Sequence, residues 1–365
     1  MKIAALVSGG VDSSVIIPLL KEQGYNPVIF YIQIGMDNEP GFMDCPSEED
    51  IEITTYIAKK YGCRLEIANL HDEYWNRVVN YTIDAVRQGF TPNPDVMCNR
   101  FIKFGSFDDK FGKDFDRIAT GHYARRIDEG GKVYLGTAID QKKDQTYFLG
   151  RITYPQLSKA MFPLADLEKK DVRKLARDLK LPSAGRPDSQ GICFLGKINY
   201  NEFIKRYAGE KEGDIIELET GKKLGNHKGF WFHTIGQRRG LGLSQGPWFV
   251  VKKDIPGNIV YVSNGYDPIA QHKKEVALDD FLFINENPDR DYSVPQPVFF
   301  KIRHQPEFNE GVMRGQGDKG TYMIESSNSI AGVAPGQFGV IYDVEKRICL
   351  GSGVISDNVE FGNNL

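Results

Sequence analysis

Along the first two hundred residues, short apolar runs alternate with stretches whose apolar positions recur at helical spacing. The strand-like runs are Ile3 to Val7, Val28 to Ile34, Arg64 to Leu70 and Arg117 to Thr120. Between them Ser13 to Gln23 and Glu48 to Tyr61 have helical periodicity, and Gly24 and Gly62 stand where helix-ending glycines belong. This alternation predicts parallel pairing and a layered α/β sheet, with ligand sites at the carboxyl ends of its strands. Lys169 to Lys180 predicts a further helix, with Val172, Leu175, Ala176 and Leu179 at helical spacing among Lys170, Arg173, Lys174 and Arg177. Its basic face reads equally well as solvated or as facing nucleic acid.

After about residue 210 the texture changes to short β-like runs split by Gly, Pro and Asn: GDIIELETGKKLG, PWFVVKKD, NIVYVSNG, PVFFKIRH, QFGVIYD and RICLGSGVI. Such spacing predicts small barrels. A break near Gln271 to Lys274 gives three expected units: an α/β domain over 1–205, a central β-rich module over 206–272 and a C-terminal β-barrel over 273–365.

Composition narrows the function classes. With 365 residues and 41% hydrophobic content the chain can build several cores, while a net charge of -3 gives no global cationic field. Nucleic-acid binding must therefore come from local basic patches. No stretch approaches the roughly 18 apolar residues of a membrane span, and the N-terminal apolar run is too short for a signal peptide. The expected compartment is the cytoplasm, with Cys45, Cys63, Cys98, Cys193 and Cys349 as thiols. With no C-x-x-C or close Cys/His pair, no metal site is expected.

Ser8-Gly9-Gly10-Val11-Asp12-Ser13-Ser14 follows the first strand and opens the first helix. The glycines let successive N–H groups turn towards a phosphate, the serines add hydroxyl donors, and the helix start adds partial positive charge. Asp12 cannot attract phosphate, so magnesium or capping is its expected use. A glycine pair before a helix is also a common tight turn, and neither the Walker nor the dinucleotide spacing is present. The whole string resembles the SGGxDS loop of ATP-pyrophosphatases, which implies adenylation of a substrate with release of pyrophosphate.

Two cysteine islands stand out: Thr91-Pro-Asn-Pro-Asp-Val-Met-Cys98-Asn-Arg and Asp188-Ser-Gln-Gly-Ile-Cys193-Phe-Leu-Gly196. Pro92, Pro94 and Gly191 put both thiols on rigid or tight loops. Each cysteine alone reads as a small buried hydrophobe. As a pair they suit sulfur transfer, which needs a persulfide carrier and an accessible, electropositive thiol; Arg100, Lys103 and Arg186 are the expected cations. His233-Thr-Ile-Gly-Gln-Arg238-Arg239-Gly-Leu-Gly, beside Trp231 and Phe232, reads either as a phosphate grip with stacking aromatics or as a basic β-turn over core aromatics. Cys63 and Cys349 read as core residues, and His71 and His227 as ordinary surface or packed ones.

SGGVDSS, TPNPDVMCN, ATGHYAR, KKDQTYFL, DSQGICFLG, HTIGQRRGLG, WFVVKKD and APGQ, in that order, make the chain resemble the bacterial tRNA-specific 2-thiouridylases over essentially its whole length. The resemblance implies an ATP-pyrophosphatase domain, a central module and a C-terminal β-barrel. It implies ATP, with Mg2+, at Leu6, Val7, Ser8, Gly9, Gly10, Val11, Asp12 and Ser13, with Ile32 and Gly121 on the nucleoside side. It makes Cys193 the persulfide carrier, Cys98 the nucleophile of a transient Cys98–Cys193 disulfide, and Asp95 the general acid/base, within an Asn93-Pro94-Asp95 segment that touches the base. Contacts to tRNA fall to His122, Lys143, Asp144, Gln145, Arg303, His304 and Gln337. The implied partners are lysine, glutamate and glutamine tRNAs and a sulfur donor such as a cysteine desulfurase or sulfur-relay protein, with no membrane. The stretch Gln33 to Cys45 and residue Ile32 depart from the family pattern. Two other readings stay open: an adenylating enzyme of the same loop class that uses nitrogen, and a tRNA-binding relative without catalysis.

Overall fold

The computed structural model describes residues 1–34, 47–188, 200–265, 272–285, 291–316 and 320–356. Its first unit is a five-stranded parallel sheet in the order β3-β2-β1-β4-β7, built from β1 (Ile3–Leu6), β2 (Val28–Gln33), β3 (Leu65–Asn69), β4 (Arg117–Ala119) and β7 (Ala160–Met161). Strand β1 shows why its sequence is continuously apolar. Ile3 and Ala5 pack into one core with Val15, Ile16 and Leu20 of helix α1 (Val11–Glu22) and Ile57 of helix α2 (Ser47–Tyr61). Ala4 and Leu6 enter the opposite core with Phe30, Val78, Phe104 and Phe107. A strand covered on both faces must be apolar at every position. Gly24 and Gly62 take positive φ (81° and 59°), as their placement after the helices predicts.

The central strands form a four-stranded sheet, β10-β11-β8-β9, from β8 (Gly213–Glu217), β9 (Lys223–His227), β10 (Trp248–Asp254) and β11 (Ile259–Asn264), around Ile215, Trp248, Val250, Val260 and Val262. The C-terminal strands close a six-stranded antiparallel barrel, β12-β15-β14-β13-β16-β17. They are β12 (His272–Phe283), β13 (Gln296–Lys301), β14 (Asn309–Gly315), β15 (Tyr322–Ala331), β16 (Phe338–Tyr342) and β17 (Ile348–Ser356). Closure comes from β12 pairing with β17, with Leu278 opposite Ile355. The parallel α/β sheet, β-rich centre and terminal barrel agree with the fold class read from the sequence.

One feature of the topology departs from that reading. The hairpin β5 (Arg125–Glu129) and β6 (Lys132–Gly136) belongs to the α/β part of the chain yet adds to the barrel sheet, with Leu135 opposite Cys349. Nothing in the local periodicity of RRIDEGGKVYLG announces that its partner lies near the end of the chain.

The barrel also docks through the turn after β15. Thr91 N donates to Pro335 O at 2.8 Å, and Gly336 holds φ 89° with its Cα face against Phe90 and Thr91. A Cβ there would sit 2.6 Å from Phe90 Cβ. Gly336→Ala is therefore expected to destabilise the protein by at least about 1 kcal/mol, seen as a lower denaturant midpoint in chemical unfolding.

Candidate active site

The Ser8–Ser14 loop lies where open α/β sheets bind ligands. Strand β1 connects towards β2 on one side and has β4 on the other, so the crevice beyond β1 and β4 is the topological switch point. The loop leaves β1 there. Gly9 has φ 75°, and a Cβ on it would sit 2.9 Å from Asp50 Cα. Ser8 N donates to Ser13 Oγ at 3.1 Å, while the Ser13 and Ser14 hydroxyls donate to Gly10 O at 3.1 and 2.7 Å. From the other side of the crevice Gly121 presses against the loop: a Cβ would lie 2.7 Å from Ser13 N. Ile32, near the end of β2, is half-buried beside the crevice strands.

Asp12 is neither cap nor isolated carboxylate. Gly10 occupies the cap position with no side-chain cap bond. The Asp12 carboxylate accepts from Lys169 Nζ at 2.6 and 2.7 Å and from the Tyr123 hydroxyl at 2.9 Å. Burial first, and the Asp12 charge second, push the Tyr123 phenol far above its usual range, so it remains a donor. Lys169 also reaches Asp188 at 2.9 Å, and Lys143 donates to the same carboxylate at 2.8 Å. Arg173 bonds Asp188 as well, and Arg186 donates to Gly9 O at 3.2 Å and pairs with Asp50. The Lys169–Asp178 helix thus turns Lys169 and Arg173 inward to the loop network. The sequence reading placed Arg173 on a basic face and gave Lys169 no role; their i, i+4 spacing, which sets them on one side of the helix, was the available signal. Among the described residues no cluster of His, Cys, Asp and Glu could hold a metal, and Asp12 is already engaged by Lys169.

The second part of the site is the loop and helix that carry Cys98. Asn93 caps the Pro94–Cys98 helix by accepting from Val96 N at 3.3 Å, and Pro94 sits at the first turn, where it costs no hydrogen bond. Asp95 is half-buried in that first turn. Gln337 of the barrel holds the loop. Its amide donates to Thr91 O at 3.0 Å and Pro92 O at 3.1 Å, while its oxygen accepts from Asn93 Nδ2 at 3.3 Å and lies 3.3 Å from the Tyr147 hydroxyl. The central module touches the same place: Lys253 bonds Gly89 O and also His233 O at 3.2 Å.

Cys98 is buried, 2% exposed, among Val96, Ile102 and their neighbours, where an accessible thiol was expected. Arg100 lies over the Phe101 ring, 5.0 Å from its centroid. Cys98 and Ile102, four residues apart and so on one helical face, both enter this core, in a run whose residues 99–112 continue as wide helical turns. Cys193 and Cys45 lie outside the described residues, as does most of the 33–45 stretch. Cys349 is buried as expected, whereas Cys63 is only half-buried.

The residues expected to meet tRNA divide by exposure. Arg303 and His304 are exposed, with Arg303 bonded to Gln305 at 2.9 Å and the His304 ring 4.6 Å from Phe148. Lys143, Gln145 and Gln337 make bonds within the protein, and Gln145 exchanges bonds with Tyr123 at 2.8 and 3.0 Å. His122 bonds Thr120 at 2.8 Å between Phe104 and Phe162, and burial holds it neutral. Asp144 points inward: it is 2% exposed, accepts from Ala138 N at 2.9 Å and from Thr146, and lies 3.9 Å from the fully buried Lys301. Burial raises the Asp144 carboxyl and lowers the Lys301 ammonium, so this pair joins barrel to loop as part of the packing.

A switch-point phosphate loop joined to a closed six-stranded barrel defines a nucleotide-binding α/β protein of the HUP class. Three family models match in series: the tRNA methyl transferase HUP domain over residues 1–197, the tRNA methyl transferase PRC-barrel domain over 201–264 and the aminomethyltransferase beta-barrel domain over 273–355. The chain belongs to the tRNA-specific 2-thiouridylase family. A relative of that description from Parabacteroides distasonis is 61% identical over 360 residues, covering 99% of this chain and all of the relative. Others from Porphyromonas gingivalis and Bacteroides thetaiotaomicron are each 59% identical, over 362 and 356 residues, covering 98% of this chain and 99% and 100% of the relatives.

His233 gives this region a pH signature. It is buried, one ring nitrogen has no hydrogen-bond partner among the described residues, and burial followed by the neighbouring His227 lowers it to about 4. A histidine depressed when folded binds its proton more readily when unfolded, so its contribution is complete above the unfolded value and is lost as pH falls. Between pH 6.5 and 4 this residue is expected to remove roughly 3 kcal/mol of stability. Equilibrium unfolding of His233→Phe across that range should show a correspondingly flatter pH dependence than the unaltered chain.

Proposed function

We propose that the chain catalyses ATP-dependent 2-thiolation of the wobble uridine of tRNA. The observation that carries this reading is that one α/β domain holds both a glycine- and serine-rich loop at the switch point of its parallel sheet and the capped Pro94–Cys98 helix, whose approach is held by Gln337. Membership of the thiouridylase family supports it. The working units are 1–205 for nucleotide chemistry, 206–272 for tRNA contact and 273–365 as the docking barrel.

The C2 oxygen of uracil is a poor leaving group as oxide. ATP converts it to an adenylate, with pyrophosphate leaving against the loop amides of Gly9 to Ser13 and the nearby Lys143 and Lys169. The terminal persulfide sulfur on Cys193 then attacks C2 and AMP leaves. Cys98 thiolate attacks Cys193 Sγ, the 2-thio base departs with the transferred sulfur, and the resulting disulfide is reopened by external thiol. Since Cys98 is buried, this step requires the Pro94–Cys98 helix to shift when tRNA engages. Asp95, half-buried at the helix start, serves the proton transfers at the base. Exposed Arg303 and His304 contact phosphates. A cysteine desulfurase or relay protein loads Cys193, and lysine, glutamate and glutamine tRNAs are the substrates.

The test is a mercury-gel assay with magnesium-ATP, a persulfide donor and unmodified lysine tRNA. A retarded tRNA band that needs ATP and disappears in both Cys98→Ser and Cys193→Ser is the expected result. AMP production without thiolated tRNA would point instead to nitrogen transfer, and no AMP at all to a binding protein without catalysis. Gly121→Ala, whose Cβ has no room beside Ser13, is expected to weaken ATP binding at least about tenfold by calorimetry.

A further inference from the structure

Asp188 opens the DSQGICFLG run, five residues before Cys193. In the structure that carboxylate is the hub of the cations around the phosphate loop. Oδ1 accepts from Lys169 at 2.9 Å and from Arg173, and Oδ2 accepts from Lys143 at 2.8 Å. The Lys169 ammonium simultaneously holds both oxygens of Asp12, inside the loop itself. Partial burial alone would raise the Asp188 carboxyl, but the bonds from Lys143 and Lys169 outweigh it and hold the group well below the usual carboxylate range.

Taken as charges, the arrangement sets a contest. A polyphosphate entering at Gly9 to Ser13 finds amide and hydroxyl donors in the loop, yet Lys143, Lys169 and Arg173 all end on a carboxylate of the protein. Asp188 is one negative group with two oxygens; a pyrophosphate carries more charge and more acceptors, spaced to reach several cations at once. Both cannot be fully served by the same ammonium, and two anions side by side repel.

We propose that Asp188 is a built-in competitor for the pyrophosphate-binding cations, exchanging with the phosphate oxygens of ATP over Lys143, Lys169 and Arg173. This rests on the nucleotide reading of the loop. In exchange for weaker gross binding, the carboxylate returns to the cations as pyrophosphate departs, which favours release after adenylation. The role is one of positioning and affinity setting, since Asp188 acts through the lysines and the arginine.

Calorimetric titration of the full chain with inorganic pyrophosphate, and separately with ATP, tests the exchange. Asp188→Asn is expected to bind pyrophosphate about tenfold more tightly than the unaltered chain, Lys169→Met more weakly, and the double variant is expected to lose the gain. Asp188→Ser vacates the same cations with a smaller side chain and should move binding in the same direction. A residue that merely held the lysines in place would give the opposite sign. Unchanged or weaker pyrophosphate binding by Asp188→Asn or Asp188→Ser, in whichever of the two retains the circular dichroism and melting of the unaltered chain, overturns the inference. Failure of the unaltered chain to bind either ligand would strike the nucleotide reading itself, and so is distinguishable.

Discussion

The geometry of the site depends on one side-chain amide being saturated. Gln337 has two donors and two acceptor lone pairs, and all four face partners: the carbonyls of Thr91 and Pro92, the amide of Asn93 and the hydroxyl of Tyr147. The loop it grips could not satisfy those carbonyls itself, because Pro92 and Pro94 deprive it of two N–H groups. A barrel residue thus completes the hydrogen bonding of a catalytic-domain loop 244 positions away. The Pro94–Cys98 helix takes its starting direction from Asn93, which is bound both to that helix and to Gln337.

What sequence could disclose follows from how local each cause is. The strands of the parallel sheet were legible because burial on both faces makes them uniformly apolar, and α1 and α2 because their periodicity and terminal glycines are contained in a dozen residues. The phosphate loop was legible for the same reason: turn, donors and helix start are consecutive in the chain. Strand β12 was not marked out, since its charged residues fall in two blocks, Lys273, Lys274 and Glu275, then Asp279 and Asp280, that break any period-two pattern; polar residues and glycine interrupt β14 and β15 in the same way.

Electrostatic roles were the least legible part. Arg173 read with Lys170, Lys174 and Arg177 as a solvated or nucleic-acid-facing stripe because a helical wheel gives spacing but not direction. Only the fold shows that the helix divides, Lys169 and Arg173 reaching Asp12 and Asp188 while Lys170, Lys174 and Arg177 are exposed. Asp144 suffered the reverse error. Set between Lys143 and Gln145 it read as one of a polar trio, yet the trio splits, with Asp144 turned to buried Lys301 and its neighbours turned to Asp188 and Tyr123. Cys98 shows the same limit, since its burial is decided by the distant residues of the core it enters.

The β5–β6 hairpin bears on how the molecule comes into being. Its outer edge is completed by β17, and Thr137 reaches Lys346 across 209 positions. A chain emerging from the ribosome at about 5–20 residues per second carries that hairpin edge unpaired until nearly the last strand has been made. The α/β unit therefore cannot finish folding in order of synthesis. Its final shape waits on the carboxyl end, so a truncated product lacks a strand contact in its first half as well as the missing piece.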